Sequence, residues 1–526
     1  MLDVNVVVGS GPAGVACAHA LLARGELVTM VDAGIEMEDG RRAIIEPMRH
    51  AGPEAWTAAQ LHAIREGFAP LRGQAPMKRA YGSDFTFREV DRFLPMRSAW
   101  ADVRPSLALG GLSNIWGAAI LPYRSRDLAD WPVLLADLEP HYRAVATLIP
   151  VSATEDHLAR EFPIYAGEHS PLGASRQALG LIADLDASRD VLDRDGYRFG
   201  RAQLAVRAAA SANGPGCASC GLCLYGCPYG LIFNAADTRA SLCARPGFTY
   251  AGGVVVRSIR EEGSRSIVHG VSISDGRATT VEARRVFVAA GVLGTARIVL
   301  ESAEAYDRPV TLQDSQYFLL PLLRYQRVRD VKRERLHTLA QVFVEIDHAS
   351  VAAHNVHLQI YGYNDLYDAA VGAHWLPGPI RDAVIDRLLV VQGYLHGRES
   401  APITLTLGRP VNADPPTLLV EAVVRAETVA AVRRVVRSLT AHRRHLRAVP
   451  LAPFLQIAPS GRGYHSGGTF PMRRRPGPFE TDALGRLDGF DRLHLVDASV
   501  LPDIPASPIT FTVMANAHRI GSRVPA

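Results

Sequence analysis

Lysine is nearly missing from this sequence: of 57 basic side chains only Lys78 and Lys332 are lysine, and the rest are arginine. An excess of one sign of charge is missing too. The 57 basic and 53 acidic residues are well mixed and leave a net charge of +4, which argues against a nucleic-acid-binding surface. No run of about 18 apolar residues is present to span a bilayer. The first residues, Met1-Leu2-Asp3-Val4-Asn5, enter an apolar strand with no basic leader before it, so the reading is a cytoplasmic protein with no transmembrane segment. Cysteine is scarce, at six, and unevenly spread: Cys17 and Cys243 stand alone while Cys217, Cys220, Cys223 and Cys227 fall together, unlike a secreted disulfide framework. Apolar residues are not in short supply. With 48% hydrophobic and 21% charged residues over 526, the chain is globular and long enough for two or more cores, which excludes a disordered or fibrous protein.

The most legible local pattern is at the start. The apolar run Val4 to Val8 leads into Gly9-Ser10-Gly11-Pro12-Ala13-Gly14, a helical pattern follows with Val15, Ala18, Leu21 and Leu22, and Gly25 ends it before a second apolar run, Leu27 to Val31, closed by Asp32. Strand, glycine turn, helix, strand and acid is the context that a G-x-G-x-x-G match requires for dinucleotide binding rather than a purely structural turn. Gly9 permits the tight turn, Gly11 the approach of a pyrophosphate, and Gly14 close packing of helix on strand. The helix N-terminus offers unpaired N–H donors, and Asp32 is placed to accept from ribose hydroxyls. The motif alone leaves FAD and NAD both open.

Further along, Gly110-Gly111 lie in a glycine- and alanine-rich stretch over 106 to 123, allowing close backbone approach to a flat or anionic group. Runs around Val254 to Val256 and Val286 to Ala290, then Gly291 to Gly294 opening a helix with Ala296, Ile298 and Leu300, form a second strand-turn-helix unit, so the nucleotide domain is discontinuous. Between about 310 and 460 the runs Gln341 to Ile346, Val356 to Tyr361, Ile403 to Leu407 and Thr417 to Val424 predict an antiparallel sheet. Residues 427 to 447 predict a helix with Val429, Val432, Val436 and Leu439 on one face, its arginines forming a solvated surface.

The C-terminal stretch supplies the resemblance. His465-Ser-Gly-Gly-Thr-Phe-Pro-Met472, followed by Val496-Asp-Ala-Ser-Val-Leu-Pro502, together with the glycine motifs in the same order, resembles the glucose-methanol-choline (GMC) oxidoreductases, FAD enzymes that oxidise alcohols. The resemblance extends over essentially the whole chain. It implies an α/β fold with a discontinuous Rossmann-like FAD-binding domain and a second substrate domain built on an antiparallel sheet. The expected division is 1–145 (first FAD-binding part), 146–200 (connecting or lid region), 201–309 (cysteine-rich segment and second FAD-binding part), 310–460 (substrate domain) and 461–526 (C-terminal FAD-binding part). It further implies that Gly9, Gly11, Pro12, Ala13, Gly14, Asp32, Gly110, Gly111, Asn114, Val255, Gly291, Asp497, Ala498 and Thr510 bind the cofactor. His465 is implied as the base that takes the substrate hydroxyl proton while hydride passes to the flavin, a role that neutral imidazole suits. The bland alternative is a satisfied histidine in a glycine-rich turn.

Two departures stand out. The family's second histidine or asparagine falls at Pro508, which has no side-chain hydrogen-bonding group, or at Ser507 on another alignment, with Thr510 and Asn516 as nearby polar groups. Ile115 stands where some members attach the flavin through histidine, so the FAD is expected to be non-covalent.

Cys217-x2-Cys220-x2-Cys223-x3-Cys227-Pro228 has bacterial ferredoxin spacing, which points three thiolates at one cubane. The expectation is an iron-sulfur cluster on Cys217, Cys220 and Cys223, with Cys227 or distant Cys243 as a fourth ligand. A zinc site and reduced or disulfide-paired structural cysteines remain open. The expected function is FAD-dependent oxidation of an alcohol group on a small hydroxylated molecule, sugar-like or a natural-product intermediate. Oxygen or an external electron acceptor takes the electrons, with a cluster as possible relay. The alternatives are a non-alcohol flavin reaction on the same scaffold and an electron-transfer subunit.

Overall fold

The apolar run that opens the chain becomes the middle strand of a five-stranded parallel sheet in the computed structural model, which describes residues 4–66, 78–211, 214–366, 377–411 and 415–525. Met1 to Asp3, part of the opening read above, lie outside the described residues. In order across the sheet run Leu493–Leu495, Arg285–Val288, Val4–Val8, Leu27–Val31 and Phe248–Ala251. Four widely separated stretches of sequence therefore build one sheet, as the second strand-turn-helix unit implied. Strands buried on both faces read as unbroken apolar runs, which is why Val6, Val7, Val286, Phe287 and Val288 are all fully enclosed.

The helix Pro12–Ala23 is apolar on nearly every side and is buried from Ala13 to Ala18. Such a helix has to be covered all round. Its cover is the C-terminal helix Thr510–Arg523, which packs along it closely enough that a Cβ on Gly521 would meet the Cys17 carbonyl. Beside this unit, Val254–Glu262, Arg265–Ser272 and Ala278–Ala283 form a three-stranded antiparallel sheet.

The strands expected between 310 and 460 divide between two sheets. Val342–Ile346 and Val356–Tyr361 join Tyr317–Arg324, Leu388–Tyr394, Ala448–Pro450, Gln456–Ile457 and Tyr197–Arg201 in a seven-stranded antiparallel sheet. Ile403–Leu407 and Leu418–Ala422 instead pair with Pro309–Asp314, Ser466–Gly467 and Met96–Ala99 in a second five-stranded sheet. The helix expected over 427 to 447 spans Ala426–Ala441. Its buried face is Thr428, Ala431, Val432, Val435, Val436 and Leu439, so Val429 lies at the edge of the stripe rather than in it. Arg433, Arg437, Arg443, Arg444 and Arg447 are exposed, and Arg434 donates to the Val351 carbonyl. No helix among the described residues is long and apolar enough to cross a membrane.

Candidate active site

A cavity of about 470 Å³ runs from the carboxyl ends of the parallel strands to the face of the seven-stranded sheet. At its first end the turn after Val8 and the N-terminus of Pro12–Ala23 are exposed to it: Gly9, Gly11, Pro12 and Ala13 line the wall, with Asp32 from the end of the next strand. Gly9 has φ +101°, and a Cβ there would sit 2.5 Å from the Ala289 carbonyl oxygen. A Cβ on Gly14 would collide with the Gly9 carbonyl, so Gly14 sets the approach of helix to turn and does not itself reach the cavity. A Cβ on Gly11 would meet nothing within 4 Å, because the space above it belongs to the cavity. Asp32 accepts from Ser10 Oγ at 2.5 Å and from Tyr250 OH at 3.3 Å, and burial pushes its carboxyl up to about 6.

The second helix N-terminus meets the same space. Gly291 and Val255 line it, as do Asp497, Ala498 and Gly111. Asp497 accepts from Thr295 Oγ1 at 2.5 Å and from the Ser499 N–H at 3.0 Å, tying the Gly291–Ser302 helix to the C-terminal segment. Gly110 and Asn114 stand behind the wall. Gly110 donates its N–H to Ser10 Oγ, and Asn114 Nδ2 donates to the Leu109 and Gly111 carbonyls, so these two shape the turn that Gly111 presents.

At the far end lies His465. The short strand Ser466–Gly467 pairs with Gln313 and Asp314. Asp314 accepts from Ser466 Oγ at 2.7 Å and from the Gly461 N–H at 2.6 Å, clamping the His465 loop on both sides. Tyr464 takes φ +55°, a left-handed conformation uncommon outside glycine, just before the histidine. The His465 ring stacks on Tyr394 at 4.5 Å between centroids and 22° between planes. Its Nδ1 is buried with no partner, which leaves Nε2 as the nitrogen available to a ligand. Burial, with a smaller push from the charge of His357, holds its pKa down at about 3, so the ring is neutral. The rest of this end is Tyr317, Gln359, Tyr361, Gln392, Tyr394 and Tyr464, none of which the motifs singled out. The alternation of polar with apolar residues in Val356–Tyr361 carried the signal for Gln359 and Tyr361.

The candidates for the second polar partner separate. Thr510, at the start of the C-terminal helix, lines the cavity, whereas Ser507 and Pro508 do not. Asn516 is committed elsewhere, its Oδ1 accepting from Arg519.

Comparison with known proteins agrees with this architecture. Residues 406–517 match the family model described as GMC oxidoreductase. Over that C-terminal stretch the chain is similar to the GMC oxidoreductases. Over 217 residues, 38% of this chain and 38% of the relative, it is 28% identical to 6'''-hydroxyparomomycin C oxidase of Streptomyces lividus, so the match spans well under half of that relative's length. Among solved structures, pyridoxine 4-oxidase from Mesorbium loti superposes with a TM-score of 0.62 at 16% identity over 99% of this chain and 98% of that one. A formate oxidase from Aspergillus oryzae RIB40, solved in a study of FAD modification, gives 0.63 at 14% over 99% and 97%. These likenesses concern the fold.

GMC oxidoreductases bind FAD, and the residues here fit it: two helix N-termini face one cavity, with open space above Gly11 and a carboxylate at the strand end. The cysteine segment does not fit a cluster as folded. Cys217, Cys220, Cys223 and Cys227 are neighbours with free thiols, but among the described residues no three histidine, cysteine, aspartate or glutamate side chains are grouped to hold a metal. Cys217 Sγ accepts from the Ser219 N–H and Cys227 Sγ from the Leu231 N–H, each at 3.4 Å. Burial pushes the Cys227 thiol up to about 11 and Cys220 to about 12. Cys243 is exposed at the end of helix Ala235–Cys243. The iron-sulfur expectation thus lacks the convergence of thiols that ferredoxin spacing suggested, and no electron relay is built on it.

Proposed function

We propose that this chain oxidises an alcohol group on a small hydroxylated molecule, sugar-like or a natural-product intermediate, with FAD held non-covalently. Bound FAD supplies the hydride acceptor. The protein's share is placement and a base. Gly9, Gly11, Pro12, Ala13 and Gly291 hold the pyrophosphate and nucleotide side, Asp32 the ribose, and Asp497 braces the second helix N-terminus. Ile115, which lines the cavity, offers no atom for covalent attachment. At the other end neutral His465 accepts the substrate hydroxyl proton at Nε2, and the amides and phenols of Gln359, Gln392, Tyr361 and Tyr394 orient the hydroxylated substrate. Thr510 is the side-chain hydroxyl of the C-terminal helix that reaches the cavity where the family's second histidine or asparagine is missing.

The observation that carries this reading is His465, half-buried and stacked on Tyr394 in the wall of the cavity that both helix N-termini share. Support for a hydroxyl-bearing substrate and for oxygen as acceptor comes from the relative whose name is 6'''-hydroxyparomomycin C oxidase. The test is anaerobic mixing of the FAD-loaded enzyme with a panel of polyols, sugars and aminosugars, followed by flavin absorbance. A member of the panel bleaches the flavin, and deuterium on its carbinol carbon slows the bleaching. Bleaching with no isotope effect at that carbon points instead to the non-alcohol flavin reaction. Flavin still attached to the polypeptide after acid precipitation contradicts non-covalent binding.

A further inference from the structure

Behind the wall of the cavity a row of polar side chains crosses the seven-stranded sheet at right angles to its strands. Glu345 is paired in register with His357, His357 with Tyr394, and Tyr394 with Tyr317. Residues opposite one another in this way share a face of the sheet. Tyr317 and Tyr394 reach the cavity, but Glu345 and His357 do not line it. Glu345 is 1% exposed and His357 is fully enclosed. His357 Nδ1 is 2.5 Å from Glu345 Oε1, and Asn355 Nδ2 donates to Glu345 Oε2 at 2.5 Å. The edge of Phe343 packs against the His357 ring at 4.8 Å. His357 Nε2 is buried and has no partner among the described residues.

A carboxylate and an imidazole removed from water in the middle of a sheet are costly, and an apolar pair of similar volume would be easier to bury. Their position gives them something to act on. The His357 ring lies 6.1 Å from the ring of Tyr394, which in turn carries His465 at 4.5 Å. We propose that Glu345 and His357 are a positioning pair for His465: Glu345 holds the His357 imidazole in place, and His357, from behind Tyr394, fixes the phenol platform on which the His465 ring stacks. This rests on the reading of His465 as the base.

Other ionisable groups face the pair, and each has a counter-charge or a separate tie. Arg198 is opposite Glu345 in register and is bonded to Asp193. Arg124 and Arg126, which feel the charge of Glu345, pair with Asp127 and Asp347 respectively. On the His465 side stand Asp314, bonded to Ser466 and Gly461, and the Tyr464 phenol. Among the described residues none of them bonds to His357, which leaves Glu345 as its hydrogen-bonded partner.

The test is substrate-driven flavin reduction over a range of substrate concentrations at pH 8 in FAD-loaded wild type, Glu345→Gln and His357→Gln, with bound FAD measured for each. Loosening the platform misplaces the base without removing it. The rate at saturating substrate is therefore expected to fall about tenfold in both variants, as misplacement of a reacting group does, with the half-saturating substrate concentration and bound FAD unchanged, and to recover in Glu345→Asp. Variants that keep the wild-type saturating rate, or whose rate falls only in step with bound FAD, overturn the proposal, since a merely structural role lowers the amount of loaded enzyme and not its saturating rate. If Glu345→Gln loses its flavin, His357→Gln decides alone. If His465→Asn reduces its flavin as fast as wild type, the base itself is wrong and the pair falls with it. If His465→Asn is slow while both pair variants keep the wild-type saturating rate, the pair proposal alone fails.

Discussion

Asp314 shows how a single side chain carries the geometry of the site. Its two oxygens hold the residues on either side of the His465 loop, and burial pushes its carboxyl up to about 7, so near neutrality it sits between its charged and protonated forms. Asp314→Ala leaves Gly461 N–H and Ser466 Oγ without their acceptor inside the protein. The expected result is a loss of about 1–3 kcal/mol of stability together with slower flavin reduction at normal FAD content, since Asp314 does not line the cavity. Asp314→Asn keeps one acceptor and is expected to cost less. Thermal melts and stopped-flow reduction check both, and equal effects of the two substitutions contradict the clamp. Asp32 is the counterpart at the nucleotide end. Asp32→Ala is expected to weaken FAD binding by about 1–3 kcal/mol, measured by titrating flavin into apoprotein, and unchanged affinity removes it from the site. Asp32 was legible because its whole context, strand, glycine turn, helix and strand, lies within the first 32 residues. Asp314 was not, because its partner Ser466 is 152 residues away and nothing local marks a buried acid as a clamp.

At the scale of elements, what could be read was what repeats locally. The strand-turn-helix units at Val4–Val8 with Pro12–Ala23 and at Arg285–Val288 with Gly291–Ser302 each declare themselves by apolar runs and glycine turns, and both deliver a helix N-terminus to the cavity. The glycine between turn and helix is the sensitive point of the first: Gly14→Ala drives a methyl into the Gly9 carbonyl, so the helix must move off the turn. The expected outcome is protein that melts lower, by about 1–3 kcal/mol as for other overpacked positions, and retains little FAD; normal FAD content contradicts the geometry. Strand partners were harder. Alternation predicts that Ile403–Leu407 and Val356–Tyr361 are strands, but not that they belong to different sheets, because pairing over a hundred residues is decided by burial of whole faces. The cysteine spacing is legible in the same local way, yet the loop folds without converging its thiols. Cys220→Ser is therefore expected to leave FAD content and flavin reduction near wild type in protein prepared without oxygen. Loss of iron and acid-labile sulfide with that substitution contradicts this account of the segment.

Over the whole molecule, burial of histidine sets the response to acid. Burial lowers His465, His337 and His396 to about 3 and His141 and His518 to about 4, from an ordinary 6.5. In the unfolded chain these groups take up protons below about pH 6.5, so their contribution to stability is present above that pH and is lost as pH falls through 6.5 toward 3. Asp32 and Asp314, raised to about 6 and about 7, act in the opposite sense: their contribution is present at low pH and is lost as pH rises through those values. Five histidines outweigh two carboxyls, so the melting temperature is expected to fall between pH 7 and pH 4; a rise over that range contradicts the burial of these rings. The same burial leaves His465 neutral and ready to accept a proton at working pH, which is the centre of the functional account. The most direct measurement is anaerobic flavin reduction by a bleaching substrate in His465→Asn carrying its full complement of FAD. A rate lower by about 10² to 10⁴ with flavin content unchanged is the predicted result, and a rate within a few-fold of wild type, or loss of flavin in step with loss of rate, contradicts it.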